Sequence, residues 1–274
     1  MIMNCKELAA QLKREIKADV EGLSRSPTLV VVMVGDNPAS QIYVRNKAKD
    51  CEECGIDCKV IHLPENIDTV ELKELIHSFN KLDYIDGIMV QLPLPKHIDE
   101  AAILKAIHPY KDVDGLTFEN FGKLAAGSPY LVPCTPVGIL YILDYFNIEV
   151  DGKRCVVIGR SNIVGKPMSV LLTSLGGTVT LCHSHTQNLS EITQQADIIV
   201  CAVGKEKIIT ADMVKEGAVV VDVGINRDEN GKLCGDVDFE NVSKKCSAIT
   251  PVPGGVGLMT RVALLKNVLL SYYR

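Results

Sequence analysis

Short apolar runs alternate with helical patterns along the whole chain. Leu29 to Gly35 is a continuous valine-rich run, which is typical of a strand buried on both faces of a parallel sheet. The other runs of strand length are Lys59 to Leu63, Ile85 to Leu92, Arg154 to Ile158, Thr178 to Cys182, Ile198 to Val203 and Val219 to Val223. Because helical patterns separate these strands, the sequence predicts an α/β protein built from parallel βαβ units.

Helix start and stop signals lie between the predicted strands. Asn37 is a suitable N-cap, Pro38 suits the first helical position, and Gly55 suits the position that ends the helix. Residues 1–20 show an amphipathic helical pattern. Further helices are predicted for Thr69 to Leu82, for Val137 to Phe146 and, again amphipathic, for Leu258 to about Tyr272. The strands from Arg154 onward, with the helices between them, predict a compact unit of about a hundred residues, the size of one Rossmann-like domain.

The turn after the strand that ends at Ile158 is a candidate phosphate site. It runs from Gly159 to Gly165, and a helical pattern follows near Pro167. A strand, a tight turn and a helix together aim backbone N–H groups and the helix dipole at an anion. The turn lacks the three glycines of the dinucleotide fingerprint, so an ordinary βα turn is an equally good interpretation of this stretch alone.

The next strand bears on the choice of cofactor. NAD sites usually have an acidic residue at its end, which binds the ribose 2′-hydroxyl, but residues 182–186 (CHSHT) contain none. Arg160, inside the turn, is instead suited to a 2′-phosphate, so the sequence favours NADP over NAD. A metal site at His183 and His185 is the weaker interpretation, because no carboxylate lies beside them.

Three polar features of the first half follow predicted strands, where α/β proteins bind their ligands. They are Ser40, Tyr43 and Lys47 on the first inter-strand helix, Gln91 at the end of a strand, and the segment Asp112, Val113, Asp114 and Gly115. Each has an ordinary structural explanation: a solvated helix face, a capping amide and an Asp-Gly turn. Together they predict a lysine, a tyrosine, an amide and a carboxylate at one end of a sheet.

Composition and charge exclude several classes of partner. The 274 residues are 47% hydrophobic and 23% charged, with a formal net charge of −5 and no basic stripe, which argues against nucleic acid. The longest apolar runs have strand length, so no membrane span is predicted. The N-terminal segment lacks the features of a signal or transit peptide, so a cytoplasmic protein is expected.

The ten cysteines do not predict a metal or redox site. Cys51 and Cys54 form a C-x-x-C with Cys58 nearby, but no second pair or suitable histidines follow at zinc spacing. The pair also lies at the end of a predicted helix, whereas redox pairs lie at a helix start.

Two stretches rich in proline and glycine complete the pattern. Tyr130 to Pro136 is a predicted crossing between domains. Pro253 to Gly257 is either an ordinary loop or a place where backbone approaches a ligand closely.

With these residues in view, the chain resembles the bifunctional methylenetetrahydrofolate dehydrogenase/cyclohydrolase family over nearly its whole length. The matching segments occur in family order. They are VGDNPASQIYVRNKAKDCEECGI, VQLPLP, DVDGL, PCTPVGI, GRSNIVGKP, ADIIVCAVG, VVDVGIN, GDVDF and TPVPGGVG. Each segment is modest evidence alone, and the ordered set is specific.

The resemblance implies two α/β domains flanking a cleft, with the C-terminal helix returning to the first domain. Residues 1–118 and 256–274 would form a folate-binding catalytic domain, and residues 119–255 a Rossmann-like NADP-binding domain. The implied reactions are NADP-dependent oxidation of 5,10-methylenetetrahydrofolate and hydrolysis of the methenyl product to 10-formyltetrahydrofolate, in one-carbon metabolism and purine precursor supply. A homodimer is also implied.

The resemblance assigns roles to individual residues. Lys47 would be the catalytic lysine, Gln91 its hydrogen-bonding partner, Tyr43 the ring that packs on the pterin, and Asp114 the carboxylate that holds the pterin's amino edge. Ser40 would help to build the pocket. The other substrate contacts would be Leu92, Pro253, Gly254 and Gly257, and the NADP contacts Gly159, Arg160, Ser161, Ser184 and Ile225.

The implied chemistry suits these residue types. Hydride transfer from the methylene carbon depends mainly on positioning. Hydrolysis needs an activated water, and a lysine in a partly buried cleft can act as a general base near neutral pH. A carboxylate can accept two parallel N–H bonds from the flat edge of a pterin.

Two alternatives and two departures from the family pattern remain. The chain could be a monofunctional dehydrogenase, but the set of Tyr43, Lys47 and Gln91 argues against that. It could also be a non-catalytic NADP-binding regulatory protein, but the presence of Lys47 and Asp114 argues against this alternative. Leu258 stands where proline is expected and Lys166 where a small residue is usual. Neither change removes a functional group, so we expect effects on rates alone.

Overall fold

The structure, a computed structural model, describes residues 1–274. The chain divides into two compact units. The first unit comprises Ala10–Cys134 and Arg261–Arg274, and the second comprises Met1–Ala9 and Thr135–Thr260. These limits differ from the predicted domain boundaries at 118/119 and 255/256. One reason is that Asn267 Nδ2 donates to the carbonyl oxygens of Val113 and Val132, at 2.8 and 2.9 Å, and so holds the proline-rich segment in the first unit.

The first unit contains a three-stranded parallel sheet. Its elements are α1 (Lys6–Glu21, which begins before the unit does), β1 (Thr28–Val34), α2 (Pro38–Glu53), β2 (Asp57–Leu63), α3 (Thr69–Asn80), β3 (Gly87–Val90), α4 (Glu100–Ala106) and α5 (Phe118–Ala125). The strand order is β2-β1-β3. Every residue of β1 is buried, which confirms the prediction from its continuous apolar run.

The limits of α2 follow from its local sequence and are confirmed. Asn37 Oδ1 accepts hydrogen bonds from the amides of Ala39 and Ser40, at 3.0 and 3.2 Å, and Pro38 is the first helical residue. Gly55 follows the helix with a φ of +76°, a conformation that glycine adopts without strain. Since both ends are set in this way, the direction of the helix that carries Lys47 is set too.

The second unit contains a five-stranded parallel sheet, which confirms the α/β class with parallel strands. Its elements are α6 (Cys134–Tyr145, which starts at the last residue of the first unit), β4 (Arg154–Ile158), α7 (Gly165–Ser174), β5 (Thr178–Cys182), α8 (Leu189–Thr193), β6 (Ile198–Cys201), β7 (Val219–Asp222), β8 (Asn226–Arg227), β9 (Leu233–Cys234), α9 (Phe239–Val242) and β10 (Ala248–Ile249). The strand order is β10-β7-β6-β4-β5, and β8 and β9 form a separate antiparallel ribbon.

The predicted helix over residues 1–20 is wrong at its start. Residues 1–5 are not helical, and Ile2 forms a parallel bridge with Ile249 of β10: the amide of Met3 donates to Ile249 O at 2.8 Å, and the amide of Ile249 donates to Met1 O at 3.0 Å. Helix α1 begins only at Lys6. The edge of a sheet offers unpaired backbone groups, and pairing with them satisfies more of the N-terminal backbone than an extra helical turn would.

The C-terminal helix α10 (Val256–Tyr272) is not amphipathic, contrary to the prediction. It is buried around most of its circumference, and only Gly257 and Leu270 within it are exposed. From Arg261 onward it belongs to the first unit, in agreement with the expected return of the chain. No helix of the structure has both the length and the apolar composition needed to span a membrane.

Candidate active site

The topological switch point of the second unit lies between β4 and β6. The chain passes from β4 to β5 on one side and then crosses to β6 on the other, and α/β sheets bind ligands outside the carboxyl ends of such strands. Gly159 follows β4 with a φ of +107°, and a Cβ there would lie 2.2 Å from Ala202 O. Only glycine fits at this position. Because Gly159 directly follows β4 and packs against Ala202, which directly follows β6, the predicted turn lies at the mouth of this crevice.

The turn after β4 presents free backbone donors. The amides of Val164 and Gly165 donate to Ser161 Oγ, whereas those of residues 160–163 donate no hydrogen bond within the protein. A Cβ on Gly165 would lie 1.8 Å from Gly159 O, so the turn closes tightly. An anion placed here would meet several N–H groups and the start of α7. This arrangement fits the phosphates of a dinucleotide.

The predicted cofactor contacts follow strands β4, β5 and β7 of this sheet. Arg160, Ser161 and Ser184 are exposed beside β4 and β5, and Ile225, which is 47% exposed, follows β7. His183 Nδ1 accepts the amide of His185 at 3.2 Å, so one of the two ring nitrogens of His183 is already used. That bond weakens the metal interpretation of these two histidines further.

Lys47 and Gln91 are in direct contact in the first unit. Lys47 Nζ lies 3.1 Å from Gln91 Oε1 and 3.3 Å from Met89 Sδ. Gln91 Nε2 donates to Leu92 O at 2.6 Å, which directs the amide oxygen toward the lysine. Gln91 is nearly buried and Lys47 half-buried, so the amine has one fixed polar partner and one open side. The sequence did not identify Met89 as a contact of Lys47, because a methionine within an apolar strand has no feature that distinguishes it from a core residue.

Tyr43 and Ser40 lie on the same helix as Lys47. Tyr43 is 37% exposed and precedes Lys47 by one helical turn, so their side chains share a face. Ser40 is buried at the start of α2. A flat ring and an amine therefore stand beside each other at the carboxyl edge of the three-stranded sheet.

The two acids of the DVDG segment have different surroundings. Asp112 is buried and accepts hydrogen bonds from the amides of Leu116 and Thr117 and from Asn120 Nδ2. Burial raises the pKa of Asp112 above its usual range, and the hydrogen bonds from these donors offset only part of that rise. Asp114 is only half-buried. Asp112 thus holds the loop in place. The sequence alone did not distinguish this structural role from the substrate-binding role expected of Asp114.

Asp114 and Lys47 both lie near Cys134. Burial raises the pKa of the Cys134 thiol well above its usual range, the Asp114 carboxylate raises it further, and the Lys47 ammonium lowers it. Gly115 packs so closely that a Cβ would lie 2.5 Å from the backbone nitrogen of Pro133. The structure therefore brings Lys47, Gln91 and Asp114 into one region of the first unit.

Three of the predicted substrate contacts belong to the second unit, where the predicted boundaries had placed Pro253 and Gly254 but not Gly257. Pro253 and Gly254 lie between β10 and α10, and Gly257 lies in the first turn of α10. Gly254 has a φ of +108°, and its carbonyl accepts the amide of Cys5 at 2.9 Å. The N-terminal residues thus help to hold this loop.

The two departures from the family pattern leave these groups in place. Lys166 is exposed, and its Nζ donates to Asn162 Oδ1 at 2.7 Å across the turn after β4. Leu258 is half-buried in the first turn of α10.

The C-x-x-C lies at the end of α2, as predicted. Cys51 and Cys54 are buried, and burial raises the pKa of the Cys54 thiol to about 11. A thiol with so high a pKa is a poor nucleophile near neutral pH.

Two family models match the chain. Residues 3–114 match the tetrahydrofolate dehydrogenase/cyclohydrolase catalytic domain. Residues 133–274 match the tetrahydrofolate dehydrogenase/cyclohydrolase NAD(P)-binding domain. The two matches divide the chain much as the two compact units do.

Individual relatives agree with these models. The bifunctional protein FolD of Sulfurihydrogenibium sp. is 55% identical over 280 residues, which cover 100% of this chain and 98% of the relative. The bifunctional protein FolD of Acetivibrio thermocellus is 53% identical over 269 residues, which cover 97% and 94% of the two chains.

Solved structures are similar over the full chain as well. The bifunctional enzyme FolD, a methylenetetrahydrofolate dehydrogenase/cyclohydrolase from Campylobacter jejuni, matches with a TM-score of 0.98 at 50% identity, covering 100% of this chain and 98% of the other. The Trypanosoma brucei enzyme, complexed with NADP cofactor and inhibitor, matches with a TM-score of 0.95 at 36% identity, covering 100% and 97%. The chain therefore belongs to the tetrahydrofolate dehydrogenase/cyclohydrolase family.

Proposed function

We propose that this protein is a bifunctional enzyme that oxidises 5,10-methylenetetrahydrofolate with NADP and hydrolyses the resulting methenyl compound to 10-formyltetrahydrofolate. The observation that carries the proposal is the contact of Lys47 with Gln91 in a member of this family. A dehydrogenase alone needs no such amine, because removal of hydride leaves a cation that requires no proton transfer.

The first unit would bind the folate. Tyr43 would pack on the pterin ring, Asp114 would accept N–H bonds from its amino edge, and Ser40 and Leu92 would line the pocket. Pro253, Gly254 and Gly257 would supply the remaining contacts. A carboxylate whose loop is held by the buried Asp112 can keep the geometry that two parallel N–H bonds demand.

Lys47 would act as the general base in hydrolysis. Water adds to the one-carbon bridge of the methenyl cation and loses a proton, which gives a neutral hydroxyl adduct. The bond from the bridge carbon to N5 then breaks as the hydroxyl loses its proton and N5 gains one, and the formyl group remains on N10. A neutral lysine amine can donate one N–H to Gln91 Oε1 and keep its lone pair for the water proton. Gln91, oriented by Leu92 O, would hold the amine in that position.

The second unit would bind NADP, which when bound supplies the acceptor for the hydride. The free amides of residues 160–163 would hold the pyrophosphate. Arg160 and Ser184 would contact the 2′-phosphate on the β5 side, and Gly159, Ser161 and Ile225 would complete the site. The strand order supports this arrangement, since Ser184 follows β5 at one edge of the sheet and Ile225 follows β7 on the other side of β4.

Replacement of Arg160 by alanine should lower the preference for NADP over NAD. The loss of a charge-assisted contact to the 2′-phosphate is expected to raise the KM for NADP by about tenfold or more, with little change in the KM for NAD. Steady-state kinetics with both cofactors measure the two values. Lys166→Ala, which removes a neighbouring exposed charge, is the control, and an unchanged NADP preference in Arg160→Ala would contradict the assignment.

One experiment separates the proposed function from its alternatives. Purified protein is supplied with methylenetetrahydrofolate and either NADP or NAD, and both reduced cofactor and 10-formyltetrahydrofolate are measured. Formation of both products supports the bifunctional enzyme. Reduced cofactor without formyl product indicates a monofunctional dehydrogenase, and neither product indicates a non-catalytic NADP-binding protein.

We also propose that the protein acts in the cytoplasm as a homodimer, in one-carbon metabolism that supplies purine precursors. Sedimentation of the purified protein measures the oligomeric state. Residues 1–118 with 256–274 would form the folate-binding catalytic domain, and residues 119–255 the NADP-binding domain, with the limits of the compact units as the alternative division.

A further inference from the structure

A buried carboxylate holds together two loops at the mouth of the crevice in the second unit. Asp236, which is 0% exposed, lies between β9 and α9. Its Oδ2 accepts the amides of Val203 and Gly204 at 2.7 and 3.0 Å. Its Oδ1 accepts the amide of Lys205 at 2.8 Å and Asn226 Nδ2 at 2.9 Å. One side chain thus satisfies three consecutive amides and a side-chain amide.

The groups held by Asp236 follow β6 and β7. Residues 203–205 come directly after β6, and Asn226 is next to Ile225 after β7. Gly224 is packed against the same carboxylate, since a Cβ there would lie 2.1 Å from Asp236 Oδ1. The position of both loops therefore depends on this carboxylate.

A second buried acid fixes the backbone of Asp236. Asp222 Oδ1 accepts the amide of Asp236 at 2.9 Å, and Asp222 Oδ2 accepts the amide of Val237 at 3.0 Å. A Cβ on Gly235 would lie 1.9 Å from Asp222 Oδ2. The backbone that carries Asp236 is consequently held by the last residue of β7.

These loops lie on the side of the crevice away from the phosphate contacts. Arg160 and Ser184 lie at β4 and β5, and a dinucleotide that crosses the switch point extends from there toward β6 and β7. Val203 and Ile225 are apolar side chains that are nevertheless 37% and 47% exposed. Two exposed apolar groups beside a crevice offer surfaces on which a flat ring can pack.

We propose that Asp236 is a positioning residue for the nicotinamide half of the cofactor, because it holds the Val203–Lys205 loop and the Ile225 segment in the binding arrangement. The proposal rests on the proposed function of the second unit. Asp236 does not touch the reacting atoms and acts through the backbone of the two loops.

The test uses Asp236→Asn in the full-length protein. The amide has the same shape, but its NH₂ group would face backbone N–H donors, so at least one buried donor loses its acceptor. We expect the Kd for NADP, measured by calorimetric titration, to rise about tenfold. Hydrolysis of methenyltetrahydrofolate, which needs no hydride acceptor, should stay within about twofold of the unaltered protein. Asp212→Asn removes an exposed charge from the same unit and is the matched control.

A second variant keeps the test decisive if Asp236→Asn does not fold. Asn226→Ala removes only the bonds to Asp236 Oδ1 and Gly235 O, and it should raise the Kd for NADP about threefold with hydrolysis retained. An unchanged Kd for NADP in the folded variants overturns the proposal. Equal losses of NADP binding and hydrolysis also overturn it, because they indicate a structural role only. Failure of the unaltered protein to bind NADP would instead refute the proposed function.

Discussion

Replacement of Lys47 by methionine is expected to abolish the hydrolysis of methenyltetrahydrofolate while NADP binding stays intact. Methionine keeps an unbranched side chain in the space beside Met89 and Gln91 but has no amine. General acid–base catalysis contributes about 10²–10⁴ in rate, so a loss of that size is expected in kcat for hydrolysis. Lys47 is a half-buried residue of α2, and methionine is similar in length, so folding should be preserved.

The measurement follows the loss of methenyltetrahydrofolate absorbance without NADP. Lys49→Met changes an exposed lysine on the same helix and should hydrolyse the substrate at the unaltered rate. Near-normal hydrolysis by Lys47→Met would show that another group activates the water. A Kd for NADP that rises together with the loss of hydrolysis would indicate damage to the whole fold rather than to the site.

Replacement of Gly165 by alanine is expected to weaken NADP binding strongly while hydrolysis of methenyltetrahydrofolate stays intact. The added Cβ would lie 1.8 Å from Gly159 O, so the turn after β4 must open. The amides of residues 160–163, which have no acceptor within the protein, then lie on a displaced backbone. Loss of two charge-assisted hydrogen bonds to the pyrophosphate corresponds to a rise in Kd on the order of 100-fold.

Calorimetric titration with NADP and dehydrogenase kinetics measure this effect, and hydrolysis of methenyltetrahydrofolate reports on the first unit in the same preparation. Gly122→Ala is the matched control, because a Cβ at that position in α5 meets no atom within 4 Å. Unchanged NADP binding in Gly165→Ala would show that the cofactor does not use this turn. Together the Lys47 and Gly165 variants would assign the two activities to different units of one chain.

Several elements could be predicted residue by residue from the sequence. The limits of β4 and β5 match the predicted strands, and α2 has the predicted cap, first residue and terminating glycine. These signals act between residues close in the sequence, such as the side chain of Asn37 and the amides that follow it. The bridge between Ile2 and Ile249 could not be predicted in this way, because the two residues are remote in the chain.

The candidate site was predicted in part. The family pattern identified Lys47, Gln91 and Asp114, and the structure adds what holds each of them. Asp112 and Asp236 both occur in short acidic motifs, where a buried acid and a half-buried acid look alike in the sequence. Only burial and the number of donated N–H bonds distinguish the two kinds.

By itself the sequence determined the fold class, the family, the glycine turn and the absence of an acid after β5. Apolar runs, caps and glycines impose local conformations, and these conformations can be predicted without information about the rest of the chain. Only the tertiary structure decided the strand orders, the direction of Gln91 toward Lys47 and the carboxylate of Asp236 that joins two loops. Each of these depends on backbone donors and side chains that are far apart in the sequence and meet only after the sheets have formed.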